Sequence, residues 1–421
     1  MITELKSEIE KKIGKKVISR GDCELVSLAI QEMIDETISY NTIRRLFGLS
    51  PFVKPNKNTL NILSRFIGYK NYYDFTDNYE FKERTKLLKS TYVYLFEENE
   101  KKILELVISA KKRHEDFPGF ITILIRELIY EEKYSLINEI FNLKEMKFSN
   151  FNYTDIIFIG NSIGLLLRKK QEYIKLLQTN INFLNCVYLT FVDYSSLNSY
   201  YGNWTLNINE SKSTKGIEIF STALLKFRSF LNNTDIKEMD EKLIFSRELN
   251  PILYSRLVST LFISNKDIDI PKVLTKYYSF HVKNKFSIDY FFELFTTSIL
   301  LKNKEIMSYI MEKMELNIKF YYQKNHLNSY YLMSAFYHKL SNNEKEAQKV
   351  FKEFNLNEFI SSYRDYIKLL YLIYVFDDTN EMKKKHVIKN EYLKISRKLN
   401  YPFFSEDYLI NYFTSNYIEN N

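Results

Sequence analysis

Helix breakers are so sparse in this chain, nine glycines and six prolines among 421 residues, that the many tight turns of an all-β fold cannot be built. The expectation is therefore an all-α protein. Apolar residues make up 45% of the chain, enough to bury a core or a continuous helical spine. Its 34 tyrosines and 33 phenylalanines, beside abundant Lys, Asn and Ile, read as a compositional bias filling core positions rather than an aromatic ligand site. Cys23 and Cys186 are too few and too far apart for a disulfide framework or a zinc site, so a reducing cytoplasm is expected. The opening residues carry no apolar signal region, and no run is apolar enough to span a membrane, so neither export nor membrane insertion is expected.

A net charge of +8 selects no partner, but its segregation does. From Thr37 to Tyr73 there is no Asp or Glu, while Arg44, Arg45, Lys54, Lys57, Arg65 and Lys70 supply six positive charges. Helical periodicity places four helices around this stretch. Thr3 is the expected cap of the first, and Asp22 of the second, with Leu25, Leu28, Ala29, Met33 and Ile34 facing inward. Ser39 is the expected cap of a third over Tyr40 to Phe47, closed by Gly48, and Asn58 of a fourth carrying Leu60, Leu63, Phe66 and Ile67.

At 100° per residue the third helix turns Ile43, Leu46 and Phe47 to one side and Asn41 and Arg45 away from it, with Thr42 and Arg44 on the flanks. A short capped helix presenting Asn and Arg after a tight turn fits the recognition helix of a helix-turn-helix. Arg can bridge guanine O6 and N7, and Asn adenine N6 and N7. Lys54, Lys57 and the amides opening the fourth helix suit the flanking phosphates. The expected DNA-binding residues are Tyr40, Asn41, Thr42, Arg44, Arg45, Lys54 and Lys57.

The pattern E-I-x-x-x-x-G from Glu8, I-S-x-x-T-I-R-R-L-x-G from Ile38 to Gly48, and T-L-N-I-L-S-R-F-I-G-Y from Thr59 to Tyr69 resembles an N-terminal helical module recurrent in bacterial proteins. Asn71, Tyr72, Asp74 and Phe75 follow in the same pattern. The resemblance covers about residues 1–78 and implies a helix-turn-helix-like fold fused to an unrelated C-terminal region. The loop after Gly48, with Pro51 and Pro55, departs from that module's usual pattern.

After Asp77 the apolar period of 3.6 resumes as successive helices, from 81–97 through 235–246 to 405–417. Helix pairs with short Asn-rich links over more than 300 residues predict an α-solenoid of stacked pairs. One unit resembles a degenerate tetratricopeptide repeat, with Tyr331, Ala335, Ala347 and Phe351 in register but His338 and Phe359 off pattern. The expected domains are thus residues 1–78 and 79–421. The period breaks at 185–213, where Val187 to Val192 read as a short β-prone run and the only Trp, Trp204, sits in a polar setting; the insert reads as a loop with a locally packed Trp, with a lid or ligand contact as the alternative.

No catalytic motif is legible, and no cofactor or metal is expected. The five histidines, at 114, 281, 326, 338 and 386, share no ligand spacing and read as surface or capping residues. Gly160 and Gly164 fall inside an apolar helical pattern, where packing explains them better than a phosphate loop. The clusters Lys111-Lys112-Arg113-His114 and Lys383-Lys384-Lys385-His386 read as solvated helix ends or faces. The functional expectation is a cytoplasmic, non-enzymatic, homodimeric regulator that binds double-stranded DNA and carries a peptide or protein effector on its helical body. The competing expectation is a scaffold that holds a peptide or partner protein in the solenoid groove.

Overall fold

The computed structural model describes residues 1–113, 116–168, 170, 177–210, 214–245, 251–283, 287–315 and 324–414, except for the side chains at 80, 83, 84 and 113. It is helical throughout, with no strand among the described residues. It divides into two compact units, Met1–Glu115 and Asp116–Asn421.

The first unit contains α1 (Ile2–Ile13), α2 (Arg20–Ile34), α3 (Tyr40–Phe47), α4 (Lys57–Phe66), α5 (Tyr72–Phe96) and α6 (Glu100–Arg113). Three expected caps move. Helix α1 begins at Ile2 rather than after Thr3, and Asn56, not Asn58, caps α4 by accepting from the Thr59 amide at 2.8 Å. Helix α2 begins at Arg20 because Ser19 and Asp22 form a capping box: the Ser19 amide donates to Asp22 Oδ2 at 2.8 Å while Ser19 Oγ accepts from the Asp22 amide at 3.3 Å. A hydrogen bond from Lys15, with others from Ser19 and the Ile18 amide, holds the Asp22 carboxyl well below the usual carboxylate range.

The inward face of α2 also differs from expectation. Cys23, Val26 and Ile30 are fully buried, whereas Leu25, Leu28 and Met33 are 42%, 58% and 57% exposed. Both stripes satisfy helical spacing, so periodicity alone could not choose between them. The buried stripe meets Leu5 and Ile9 of α1, Ile43 and Leu46 of α3, and Leu63 and Phe66 of α4 in one core. Phe75, on α5, is fully buried in that core, and its ring lies 5.3 Å from Tyr69. The expected boundary at 78/79 thus falls inside α5, a continuous helix of 25 residues.

The second unit begins with α7 (Phe117–Tyr130), α8 (Tyr134–Asn142) and α9 (Tyr153–Leu167), with α9 packed on α7. The expected β-prone run forms no strand: α10 (Ile181–Phe183) continues into a π-turn over Leu184–Tyr188, a turn follows at Leu189 and Thr190, and Phe191 and Val192 lie outside any regular element. Val187, Tyr188 and Phe191 are completely buried, so their residue types reflect a full core rather than strand pairing. That turn lies against α9 at Gly160, where a Cβ would come within 2.4 Å of the Cys186 carbonyl oxygen, so only glycine permits the approach. Trp204 is 2% exposed and packs 5.2 Å from the Tyr200 ring, a packed Trp as expected, but it lies on a helix, α11 (Tyr200–Glu210), rather than in a loop. Residues 211–213 of the expected insert lie outside the described residues.

The chain goes on through α12 (Lys215–Leu231), α13 (Pro251–Ser264), α14 (Ile270–Tyr277), α15 (Phe292–Leu300), α16 (Lys304–Glu315), α17 (Lys324–Leu340), α18 (Glu344–Phe351), α19 (Ser361–Asp378), α20 (Met382–Leu399) and α21 (Glu406–Asn411). Neighbours in this series pack together: α12 on α13, α13 on α15, α15 on α17, α17 on α18 and α19 on α20. Ala335 and Ala347 are fully buried on α17 and α18. The expected helix at 235–246 is absent over 235–240, and only a 3-10 turn, Glu241–Phe245, forms there.

Segments distant in sequence also meet in this unit. The Ser195 amide donates to the Ser362 carbonyl at 3.0 Å, and the Leu197 amide to Tyr401 Oη at 2.9 Å. Tyr194 is fully buried between Phe227 of α12, Arg256 of α13 and Tyr366 of α19. The chain's own 193–198 segment thus fills the space between these helices.

Candidate nucleic-acid interface

Helix α3 takes the boundaries and caps its sequence predicts. Ser39 Oγ accepts from the Thr42 amide at 3.3 Å, and Gly48, at φ 80°, lets the Leu49 amide turn back to the Arg44 carbonyl at 2.9 Å. Ile43 and Leu46 are buried, at 0% and 1%, and Asn41 and Arg45 are exposed on the opposite side. Helices α2 and α3 pack together, and Ser27 Oγ on α2 donates to the Ile38 carbonyl at 2.5 Å, pinning the link between them.

The seven expected contact residues fall into two groups. Asn41, Arg45, Lys54 and Lys57 are exposed, with Lys57 opening α4. Tyr40, Thr42 and Arg44 are half-buried and engaged locally. The Arg20 guanidinium lies 5.0 Å from the Tyr40 ring centroid, and Thr42 Oγ1 shares a 3.0 Å hydrogen bond with Ser39 Oγ. Arg44 reaches Asn41 Oδ1 at 3.4 Å and the Leu49 carbonyl at 3.5 Å.

Arg65, counted among the six charges, is neutralised. Its Nε and Nη2 each donate at 2.6 Å to the two oxygens of Glu36, one residue before the acid-free run begins. That partner is 29 positions away, so only the packing of α4 on α2 brings it close. Phe52 and Val53, in the loop bounded by the two prolines, are 59% and 56% exposed beside Lys54 and were not singled out by sequence. The surface thus mixes three free-standing cations with two apolar side chains.

The second unit holds polar groups with structural partners. Arg256 and Glu293 form an ion pair at 0% and 2% exposure, and His326 Nδ1 lies 2.7 Å from Asp289 Oδ1 with both residues buried. His326 is therefore a core residue, where a surface or capping role was expected of each histidine, and His114 lies outside the described residues. A shallow groove of about 560 Å³ between α19 and α20 is lined by Asp365, Lys368, Glu391, Lys394 and Lys398. Among the described residues no group of His, Cys, Asp and Glu could hold a metal ion, and no helix is long and apolar enough to cross a membrane. No family model matches the chain, and neither a curated protein nor a solved structure is similar to it.

Proposed function

We propose that the chain is a DNA-binding transcriptional regulator whose α3 enters the major groove of a duplex as the second helix of a helix-turn-helix. The observation that carries this reading is the pair Asn41 and Arg45, exposed one helical turn apart on the side of α3 opposite Ile43 and Leu46, in a stretch free of carboxylates from Thr37 to Tyr73. Arg45 and Asn41 read base edges, while Lys54 and Lys57 at the start of α4 grip phosphates. One such head covers few base pairs, so a homodimer on a two-fold operator accompanies the proposal. The body is an α-solenoid-like stack that dimerises or carries an effector. Because Tyr194 already fills the space between α12, α13 and α19, an effector docks on the outer surface of the stack.

A protein-docking scaffold is the second reading, favoured by one observation: Leu25, Leu28 and Met33 leave an apolar face of α2 in solvent. Selection of genomic fragments on the immobilised full chain separates the two. A regulator enriches a short, two-fold symmetric sequence and loses that enrichment on Arg45→Ala. A scaffold enriches no sequence.

A further inference from the structure

The most basic helix among the described residues lies in the second unit. Helix α20 carries Lys383, Lys384, Lys385, Lys389, Lys394, Arg397 and Lys398 against one carboxylate, Glu391. Its two faces separate cleanly. Tyr392, Ile395, Ser396 and Leu399 are buried against the body, and at 100° per residue Lys383, Val387, Asn390, Lys394 and Arg397 fall within a narrow stripe on the opposite, exposed side.

Most of the other cations on this helix are occupied. Lys384 pairs with Glu381 at 2.8 Å, Lys389 with Glu406 at 2.9 Å and Lys398 with Asp365 at 2.6 Å, and Lys385 lies 5.1 Å from the Phe376 ring centroid. Glu391 is taken by Lys368 at 2.5 Å. Among the described residues no carboxylate pairs with Lys383, Lys394 or Arg397. These three cations are spread over about 21 Å of helix axis, at about 1.5 Å per residue.

We infer that this stripe of α20 is a second contact for the phosphate backbone of duplex DNA. A row of cations about 21 Å long spans about six base steps of duplex axis, at about 3.4 Å each, and so meets phosphates on the two sides of a groove. Such contacts position and add affinity without reading sequence. An anionic lipid surface fits less well, because membrane-surface helices insert an apolar face and the apolar face of α20 is already spent in the core. The inference stands apart from the head: it requires only that the whole chain bind duplex.

The test is fluorescence anisotropy of the full chain with a short mixed-sequence duplex at several salt concentrations. Four proteins are compared: the native chain, Lys383→Gln/Lys394→Gln/Arg397→Gln, the head variant Arg45→Ala/Lys54→Ala/Lys57→Ala, and the combination, each checked by circular dichroism. Loss of three phosphate contacts lowers the slope of log affinity against log salt by about 2.7 in magnitude. The expected result is that decrease from the α20 substitutions in both the native and the head-variant backgrounds. An unchanged slope, or no duplex binding by the native chain, overturns the α20 contact. Loss of binding to phosphatidylserine vesicles with duplex binding intact overturns it in favour of a lipid surface. If instead the head variant alone leaves duplex binding and its slope untouched, the major-groove proposal fails while the α20 contact stands.

Discussion

Arg65 and Glu36 face each other as a two-pronged ion pair, both contacts at 2.6 Å, joining α4 to the link between α2 and α3. The pair explains why a cation within the basic stretch is not free for a polyanion. It also braces the segment that aims α3.

Substituting Glu36→Gln therefore separates bracing from charge. The hydrogen bond to Arg65 holds the Glu36 carboxyl below its ordinary range, so its contribution is present above the unfolded pKa and is lost as pH falls through the folded one. The variant is expected to melt lower than the native chain at neutral pH, with the difference closing in acid. It is also expected to bind duplex DNA no more weakly, since it frees a cation. Melting curves at neutral and acid pH check this, and a difference that grows in acid contradicts it.

Asp193 runs the other way. Burial pushes its carboxyl up to about 6, against the pull of hydrogen bonds from Tyr200, Ser196 and the Ser195 amide. An unfolded Asp titrates near ~3.9, so between about pH 4 and 6 the folded chain holds a proton that the unfolded chain has lost. The contribution of this group is greatest below pH ~4, falls as pH rises to about 6 and is flat above. Asp193→Asn removes the dependence. Relative to the variant, the native chain should lose on the order of 2–3 kcal/mol across that window in denaturant titrations. Parallel pH profiles would refute the assignment.

The Arg256–Glu293 pair anchors the interior of the second unit. Arg256 Nε donates to Tyr194 Oη at 2.8 Å, its guanidinium lies 4.1 Å from the Phe227 ring centroid, and the Glu293 amide donates to Ser255 Oγ at 2.9 Å. Removing one partner strands a buried charge, so Arg256→Met or Glu293→Leu alone should cost about 3–5 kcal/mol in urea unfolding. The double substitution should cost far less than the sum of the two. Additive losses would mean that the two charges do not stabilise one another.

At α3 the local signals were legible in sequence, whereas the caps of α1, α2 and α4 were off by two or three residues and tertiary partners were not legible at all. Ser39 and Gly48 bound α3 because a cap and a left-handed residue act within one turn, and the outward placement of Asn41 and Arg45 follows from a helix too short to drift in phase. On α2 two apolar stripes compete, and only packing against α1, α3 and α4 shows that Val26 and Ile30 win over Leu25 and Leu28. Val187 to Val192 mimic a strand because full burial selects the same residue types. His326 and Glu36 owe their roles to partners 37 and 29 positions away, Asp289 and Arg65, which no local pattern encodes. Of the cations of α20 only Lys383 to Lys385 stood out in sequence, in the cluster that ends at His386; Lys394 and Arg397, and which cations lack a carboxylate, emerge only from the fold.

The central claim, that the first unit grips duplex DNA through α3 and the start of α4, is tested most directly by the duplex affinity of Arg45→Ala/Lys54→Ala/Lys57→Ala across a salt series. All three side chains are exposed, so melting temperature should not move. The account predicts a weaker complex whose salt slope falls by about 2–3 in magnitude. Native affinity and native salt slope in a correctly folded variant would contradict it.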